Sequence, residues 1–291
     1  MKYLSLFSGI GGFELGIQQA YDSYMGEHKE TATYHRYKPQ SVGYSEIDKY
    51  AIQVYNKHFN HKNYGDITKI NETTLPDFEL LVGGFPCQSF SIAGKRRGFM
   101  DTRGTLFFEI ARIIKQKQPR ILLLENVKGL LSHDQGNTFT TIISTLDELG
   151  YDCQWQVLNS KNFGVPQNRE RVFIVGHLRG TSRPEVFPFG STHETYITKY
   201  PAICGSSQRH AAVMKGQSPC LSTAMGSGGG QIPMKFEGTQ IRRLTPTECE
   251  RLQGFPDCWT EGVSDTQRYK TLGNAVTVNV IRDIMENIIS I

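Results

Sequence analysis

Four short apolar runs, each closed by a glycine-rich or acidic group, constrain this chain more than any other feature. Tyr3-Leu4-Ser5-Leu6-Phe7 leads into Ser8-Gly9-Ile10-Gly11-Gly12, and Ser41-Val42-Gly43-Tyr44-Ser45 leads into Glu46-Ile47-Asp48. Leu80-Leu81-Val82 leads into Gly83-Gly84-Phe85-Pro86-Cys87-Gln88, and Ile121-Leu122-Leu123-Leu124 into Glu125-Asn126-Val127. Helical spacing lies between them, as in Leu106, Phe107, Ile110, Ile113 and Ile114. Strands alternating with helices predict an α/β fold, a parallel sheet with helices on both faces. The carboxyl ends of such strands share one edge, where open α/β sheets bind their ligands. One site is therefore expected to draw on all four strand ends.

Each group suits a task at that edge. Cys87 places a thiol just past a strand, and a thiol is a strong nucleophile near neutral pH. A buried structural cysteine is the plainer alternative. Ser8-Gly9-Ile10-Gly11-Gly12 lies between strand and helix, where it can line a pocket with backbone. It lacks the Gly-Lys-Ser/Thr ending of a phosphate-gripping loop and the Gly-x-Gly-x-x-Gly spacing of dinucleotide folds. Glu46, at the next strand end, is placed to accept ribose hydroxyls, and Asp66 to receive an adenine amino group. Together they suit an adenosine-containing cofactor without a pyrophosphate.

Composition narrows the class. With 291 residues, the chain can hold one large domain or one and a half. No apolar run approaches the ~18–20 residues of a membrane-spanning helix. The first residues enter a strand at once and show no secretory signal pattern. Six scattered cysteines without a Cys-x-x-Cys argue against a zinc site or disulfide scaffold and favour a reduced, cytoplasmic setting. Net charge is +4, but from His177 to Arg243 eight Lys/Arg face three Asp/Glu. A locally basic segment suits a polyanion such as nucleic acid, although on charge alone a solvated basic face is the favoured reading.

That segment also breaks the alternation. From Arg179 to Gly238 the chain is rich in Gly, Pro, Ser and Thr, predicting a small lobe of loops and short strands. Thr245-Pro246-Thr247-Glu248 reads as a capping box opening a helix that ends near Gly254. Val278, Ile281, Ile284, Met285 and Ile288 predict a final helix packed back on the first domain. The expected division is 1–180 with 263–291 as the catalytic and cofactor-binding domain, 181–245 as the lobe, and 246–262 as a hinge helix region.

Six motifs occur in fixed order. They are Phe7-Ser8-Gly9-Ile10-Gly11-Gly12, Gly83-Gly84-Phe85-Pro86-Cys87-Gln88, Glu125-Asn126-Val127, Gln167-Asn168-Arg169-Glu170-Arg171, Arg251-Leu252-Gln253-Gly254-Phe255-Pro256 and Gly273-Asn274-Ala275-Val276. This set resembles the DNA (cytosine-5)-methyltransferases of the bacterial and phage restriction-modification type, over nearly the whole chain. The resemblance implies a Rossmann-like methyltransferase fold and S-adenosylmethionine as cofactor, leaving S-adenosylhomocysteine, with no metal. It implies double-stranded DNA as partner, with the methyl group placed on C5 of a flipped cytosine.

Carried over by motif, Cys87 is the nucleophile and Glu125 the group at N3, with Arg171, Arg169 and Gln167 in support. Phe7, Gly9, Gly11, Gly12, Glu46, Ile47, Asp66, Ile67, Pro86, Leu106, Asn274 and Val276 match cofactor contacts. Gln88, Ser91, Lys95, Arg96, Arg97 and Arg103 form a polar loop that can close on DNA. Gln208, Arg209, His210, Ser222 and Thr223 match base-reading loops of the lobe. A monomer in a bacterial or phage-infected cytoplasm is expected, with any cognate restriction endonuclease acting separately. For Glu125 the alternative is a helix cap, and for Arg169 and Arg171 it is surface salt bridges. Two other readings compete at the level of the chain, a transfer-RNA cytosine-5 methyltransferase and a non-catalytic DNA-binding relative. A nicotinamide oxidoreductase is disfavoured by the glycine spacing.

Overall fold

Alternation within the apolar runs builds the sheet and both of its faces. The computed structural model describes residues 1–27, 38–86, 106–182, 185–189, 202–203, 216–227, 231–237 and 240–290. Six strands, β1 (Lys2–Leu6), β2 (Gln40–Ser45), β3 (Leu80–Gly84), β4 (Ile121–Val127), β5 (Tyr151–Asn159) and β6 (Glu170–Leu178), pair in the order β2-β1-β3-β4-β6-β5. Leu80, Val82, Ile121, Leu123, Phe173 and Val175 point to one face; Leu81, Leu122, Leu124, Val172 and Ile174 point to the other. Helices α1 (Gly12–Glu27) and α7 (Val278–Ile289) cover the first face through Ile17, Ala20, Ile281, Ile284 and Ile288. The second face takes α3 (Leu106–Lys117), through Phe107, Ile110 and Ile114, and α4 (Asn137–Glu148), through Ile142 and Leu146. Each large apolar side chain among them contributes roughly 1.5–3 kcal/mol by leaving water.

The sheet departs from the all-parallel expectation at one strand. β6 runs antiparallel to both β4 and β5. A short 3-10 turn, Ser160–Asn162, but no α-helix separates β5 from β6, and so short a link joins antiparallel neighbours. This reversal brings the first residues of β6, rather than its last, to the edge where β1, β3 and β4 end. In the register, Glu125 faces Phe173 and Val127 faces Arg171.

Beyond the sheet, α2 (Lys49–His58), α5 (Pro246–Leu252) and α6 (Asp265–Asn274) surround a third apolar cluster. It joins Ile10 of the glycine loop to Leu221, Met225, Phe255, Trp259 and Leu272. The capping box forms as the sequence predicts: the Glu248 amide donates to Thr245 Oγ1 and the Thr245 amide to the Glu248 carboxylate. The final helix also forms as predicted. Between 216 and 245 two short strands, β7 (Met234–Glu237) and β8 (Gln240–Arg243), pair antiparallel.

Candidate active site

The shared edge opens onto a cavity of about 420 Å³ lined from every direction the strand ends supply. Phe7, Gly9, Glu46, Pro86, Glu125, Arg169, Arg171, Ser222, Thr223 and Asn274, all expected from sequence, border it. The glycine loop turns through left-handed backbone, with φ of 55° at Phe7, 55° at Gly9 and 89° at Gly11. A Cβ at Gly11 would stand 2.4 Å from the Phe59 ring, so this position excludes any side chain.

Glu46 anchors the wall beside that loop. Its carboxylate accepts from the Gly9 amide at 2.9 Å and from the Ile47 and Asp48 amides at 2.8 Å each. A carboxylate offers about four lone-pair sites, so acceptor capacity remains for hydroxyl donors. Asp48 caps α2 by accepting from the Tyr50 and Ala51 amides, and pairs with Lys270 at 2.7 Å. Those bonds hold its carboxyl below the usual carboxylate range, against the opposing effect of burial. Next to them, Ile47 leaves 72% of its surface exposed, an apolar side chain with no core to fill.

Across the cavity, Glu125 is buried and its Oε1 lies 3.0 Å from Arg171 Nε. Burial raises the Glu125 carboxyl above its ordinary range, opposed by the nearby Arg171 and Arg169 charges. The turn after β4 takes no side-chain cap, so Glu125 is an ion-pair member and not a helix cap. Asn126 Nδ2 donates to the Phe85 carbonyl at 2.8 Å, fixing the chain just before Pro86.

Arg169 is likewise no surface ion. It is 3% exposed, and burial lowers its pKa. Its guanidinium donates to the carbonyls of Leu221 and Ala275 at 2.8 Å each and of Gly273 at 3.3 Å. Gln167, fully buried, donates to the Leu252 carbonyl at 2.8 Å and accepts from the Leu221 amide at 2.9 Å. Both therefore tie residues 220–221 to α5 and to the end of α6. Cys220 Sγ lies 3.3 Å from Arg169 Nη1 and 3.6 Å from Arg171 Nη2.

Other expected residues fall elsewhere. Asp66 is not among the cavity-lining residues; it caps a 3-10 turn, accepting from the Thr68 amide and hydroxyl. Ile67 is buried in the second-face core, and Leu106 packs against that core. Val276 sits behind the glycine loop, where a Cβ on Gly12 would meet its Cγ2 at 2.8 Å. The Thr223 hydroxyl donates to the Asn274 side-chain oxygen. Cys87, Gln88, Ser91, Lys95, Arg96, Arg97, Arg103, Gln208, Arg209 and His210 lie outside the described residues.

Sequence reasoning missed Asn126 as the anchor of Phe85, Cys220 beside the arginines, and Gln253. Gln253 donates to the Leu272 carbonyl at 2.7 Å and accepts from the Thr277 hydroxyl at 2.8 Å. Its position inside a motif was the one available signal.

Comparison with known proteins agrees along the whole chain. A family model described as C-5 cytosine-specific DNA methylase matches residues 1–204 and 190–290. The Type II methyltransferase M1.ScrFI of Lactococcus lactis subsp. cremoris is 41% identical, the match covering 100% of this chain and 78% of that protein. M.SsoII of Shigella sonnei is 42% identical, with 99% and 80% covered. A crystal structure of Spodoptera frugiperda DNMT2, a triple mutant, superposes with a TM-score of 0.71 at 19% identity, covering 98% of each chain.

Proposed function

The chain belongs to the C-5 cytosine-specific DNA methylase family and is a DNA cytosine methyltransferase, and on that premise we propose how its own residues carry the reaction. The methyl donor is S-adenosylmethionine, and the target is a cytosine flipped out of a specific double-stranded sequence. The donor fits the cavity by chemistry: bare backbone at Gly9 on one side and the Glu46 carboxylate with remaining acceptor capacity on another, with the exposed Ile47, next in sequence to Glu46, offered for an adenine face. Asn274 and Pro86 border the same space. Bound there, it supplies an electrophilic methyl group and becomes S-adenosylhomocysteine.

The substrate ring needs help because cytosine C5 is a poor nucleophile. The Cys87 thiolate adds to C6, and the ring's C5–C6 π electrons become available at C5. Charge developing toward N3 is met by a proton held on Glu125, whose burial favours the protonated form. Arg171 steadies Glu125 from the side and offers positive charge to the pyrimidine edge. After C5 is methylated its proton leaves to solvent, the C5=C6 bond re-forms and Cys87 is expelled. Flipping costs a few kcal/mol of unstacking, offset by pocket contacts. Gln88, Ser91, Lys95, Arg96, Arg97 and Arg103 close over the duplex, and segment 181–245 reads its sequence, with Gln208, Arg209 and His210 as base contacts.

The observation that carries this reading is one cavity holding both the glycine loop with Glu46 and the buried Glu125–Arg171 pair. The relatives' names support a role in a restriction-modification system; a monomer acting in the cytoplasm, with any cognate endonuclease separate, is part of our proposal. A duplex carrying 5-fluorocytosine, mixed with enzyme and donor, is expected to trap a covalent protein–DNA adduct that Cys87→Ser abolishes. Absence of an adduct in the wild type would overturn the mechanism. Bisulfite sequencing of plasmid DNA from expressing cells identifies the recognition sequence.

A further inference from the structure

The glycine loop is held from behind by a residue some 250 positions away. Trp259 is buried, and its indole Nε1 donates to the Ile10 carbonyl at 2.9 Å. The Ile10 carbonyl and the Gly11 amide share one peptide plane. That amide donates to the Ser8 carbonyl at 3.0 Å, closing the turn. Fixing one end of this peptide unit therefore fixes the other, in a stretch where glycine permits many orientations.

Trp259 is itself firmly placed. Its ring stacks on His58 at 3.5 Å with planes 7° apart, and its carbonyl accepts from His58 Nε2 at 2.8 Å. The fully buried Glu250 carboxylate holds the residues on either side, accepting from the Cys258 and Thr260 amides at 2.8 Å each and from Arg268 at 3.1 Å. Trp259 borders no part of the cavity, so it acts on a bound molecule through the groups it holds, the Ile10 carbonyl foremost.

We propose that Trp259 is a positioning residue for the methyl donor, locking the Ile10–Gly11 peptide and with it the turn that holds Phe7 and Gly9 at the cavity wall. Without the indole N–H, the loop spends part of its time in other peptide orientations. Donor affinity then falls by the fraction of time the competent form is lost. Chemistry at the pyrimidine stays unchanged once the site is filled. The inference rests on the donor reading of the cavity.

The test compares wild type, Trp259→Phe and His58→Ala, using calorimetric binding of S-adenosylhomocysteine and methyl-transfer kinetics. Trp259→Phe keeps an aromatic ring and removes the donor. It is expected to weaken binding and raise the donor KM by roughly three- to tenfold, the worth of one hydrogen bond, with kcat at saturating donor within about twofold. His58→Ala removes the stacking partner and is expected to shift binding in the same direction. Unchanged affinity in both variants overturns the inference while leaving the donor reading intact. A loss of kcat in proportion to stability, without the split from KM, also overturns it and indicates a purely structural residue. Failure of the wild type to bind would sink the donor reading and this inference together.

Discussion

Glu125 carries the reading's sharpest consequences at the scale of single residues. Its carboxyl is raised by burial, so it holds its proton below that raised value and releases it as pH rises. Activity that uses the proton should be retained on the acid side of this pKa and decline above it. Glu125→Gln should lower kcat by about 10²–10⁴-fold, the usual worth of a general acid, and erase that basic limb from the pH–rate profile. Binding of S-adenosylhomocysteine should hardly change. Arg171→Ala asks a different question, because it leaves a buried carboxyl without its cation. We expect a loss of stability in urea unfolding that grows as pH rises through the raised Glu125 pKa and is small in acid, where Glu125 is neutral in any case. The sequence made Glu125 and Arg171 visible as motif members. Their 3.0 Å contact was not legible, because it depends on the antiparallel pairing of β4 with β6.

Elements were read more completely than contacts. The four strands, the capping box before Pro246 and the last helix all declare themselves through local chemistry: alternation, turn residues and spacing. β6 did not, since an apolar run carries no arrow for its direction. The bonds from Gln167 to Leu252 and Gln253 span about 85 residues and leave no local trace. Tight packing between elements gives a further prediction. A Cβ on Gly273 would lie 2.2 Å from the Ser222 backbone, at the contact between α6 and residues 222–226. Gly273→Ala should cost about 1–3 kcal/mol through overpacking, read as a lowered urea midpoint, and should weaken DNA binding by shifting the segment that Arg169 and Gln167 hold.

At the scale of the whole molecule, another buried acid, outside the proposed site, sets a pH dependence of stability. Glu14, in the first turn of α1, is 1% exposed, and the Tyr55 hydroxyl donates to it at 3.1 Å. Burial pushes its carboxyl up to about 7 from an ordinary 4.5. The folded state therefore binds a proton that the unfolded chain has already released. Stability should fall as pH rises from about 4.5 to about 7, by on the order of 3 kcal/mol. Glu14→Gln should flatten that slope, measured by denaturant unfolding at several pH values. The reversed strand has an equally global effect. Glu125 and Arg171 sit diagonally on strands running opposite ways, and a shift of one rung would turn one of them to the opposite face. A mispaired sheet would leave the Glu125 carboxyl without its Arg171 partner, so the pair to which we assign the chemistry also favours the native register. Selection for catalysis and selection for correct folding then fall on the same two side chains.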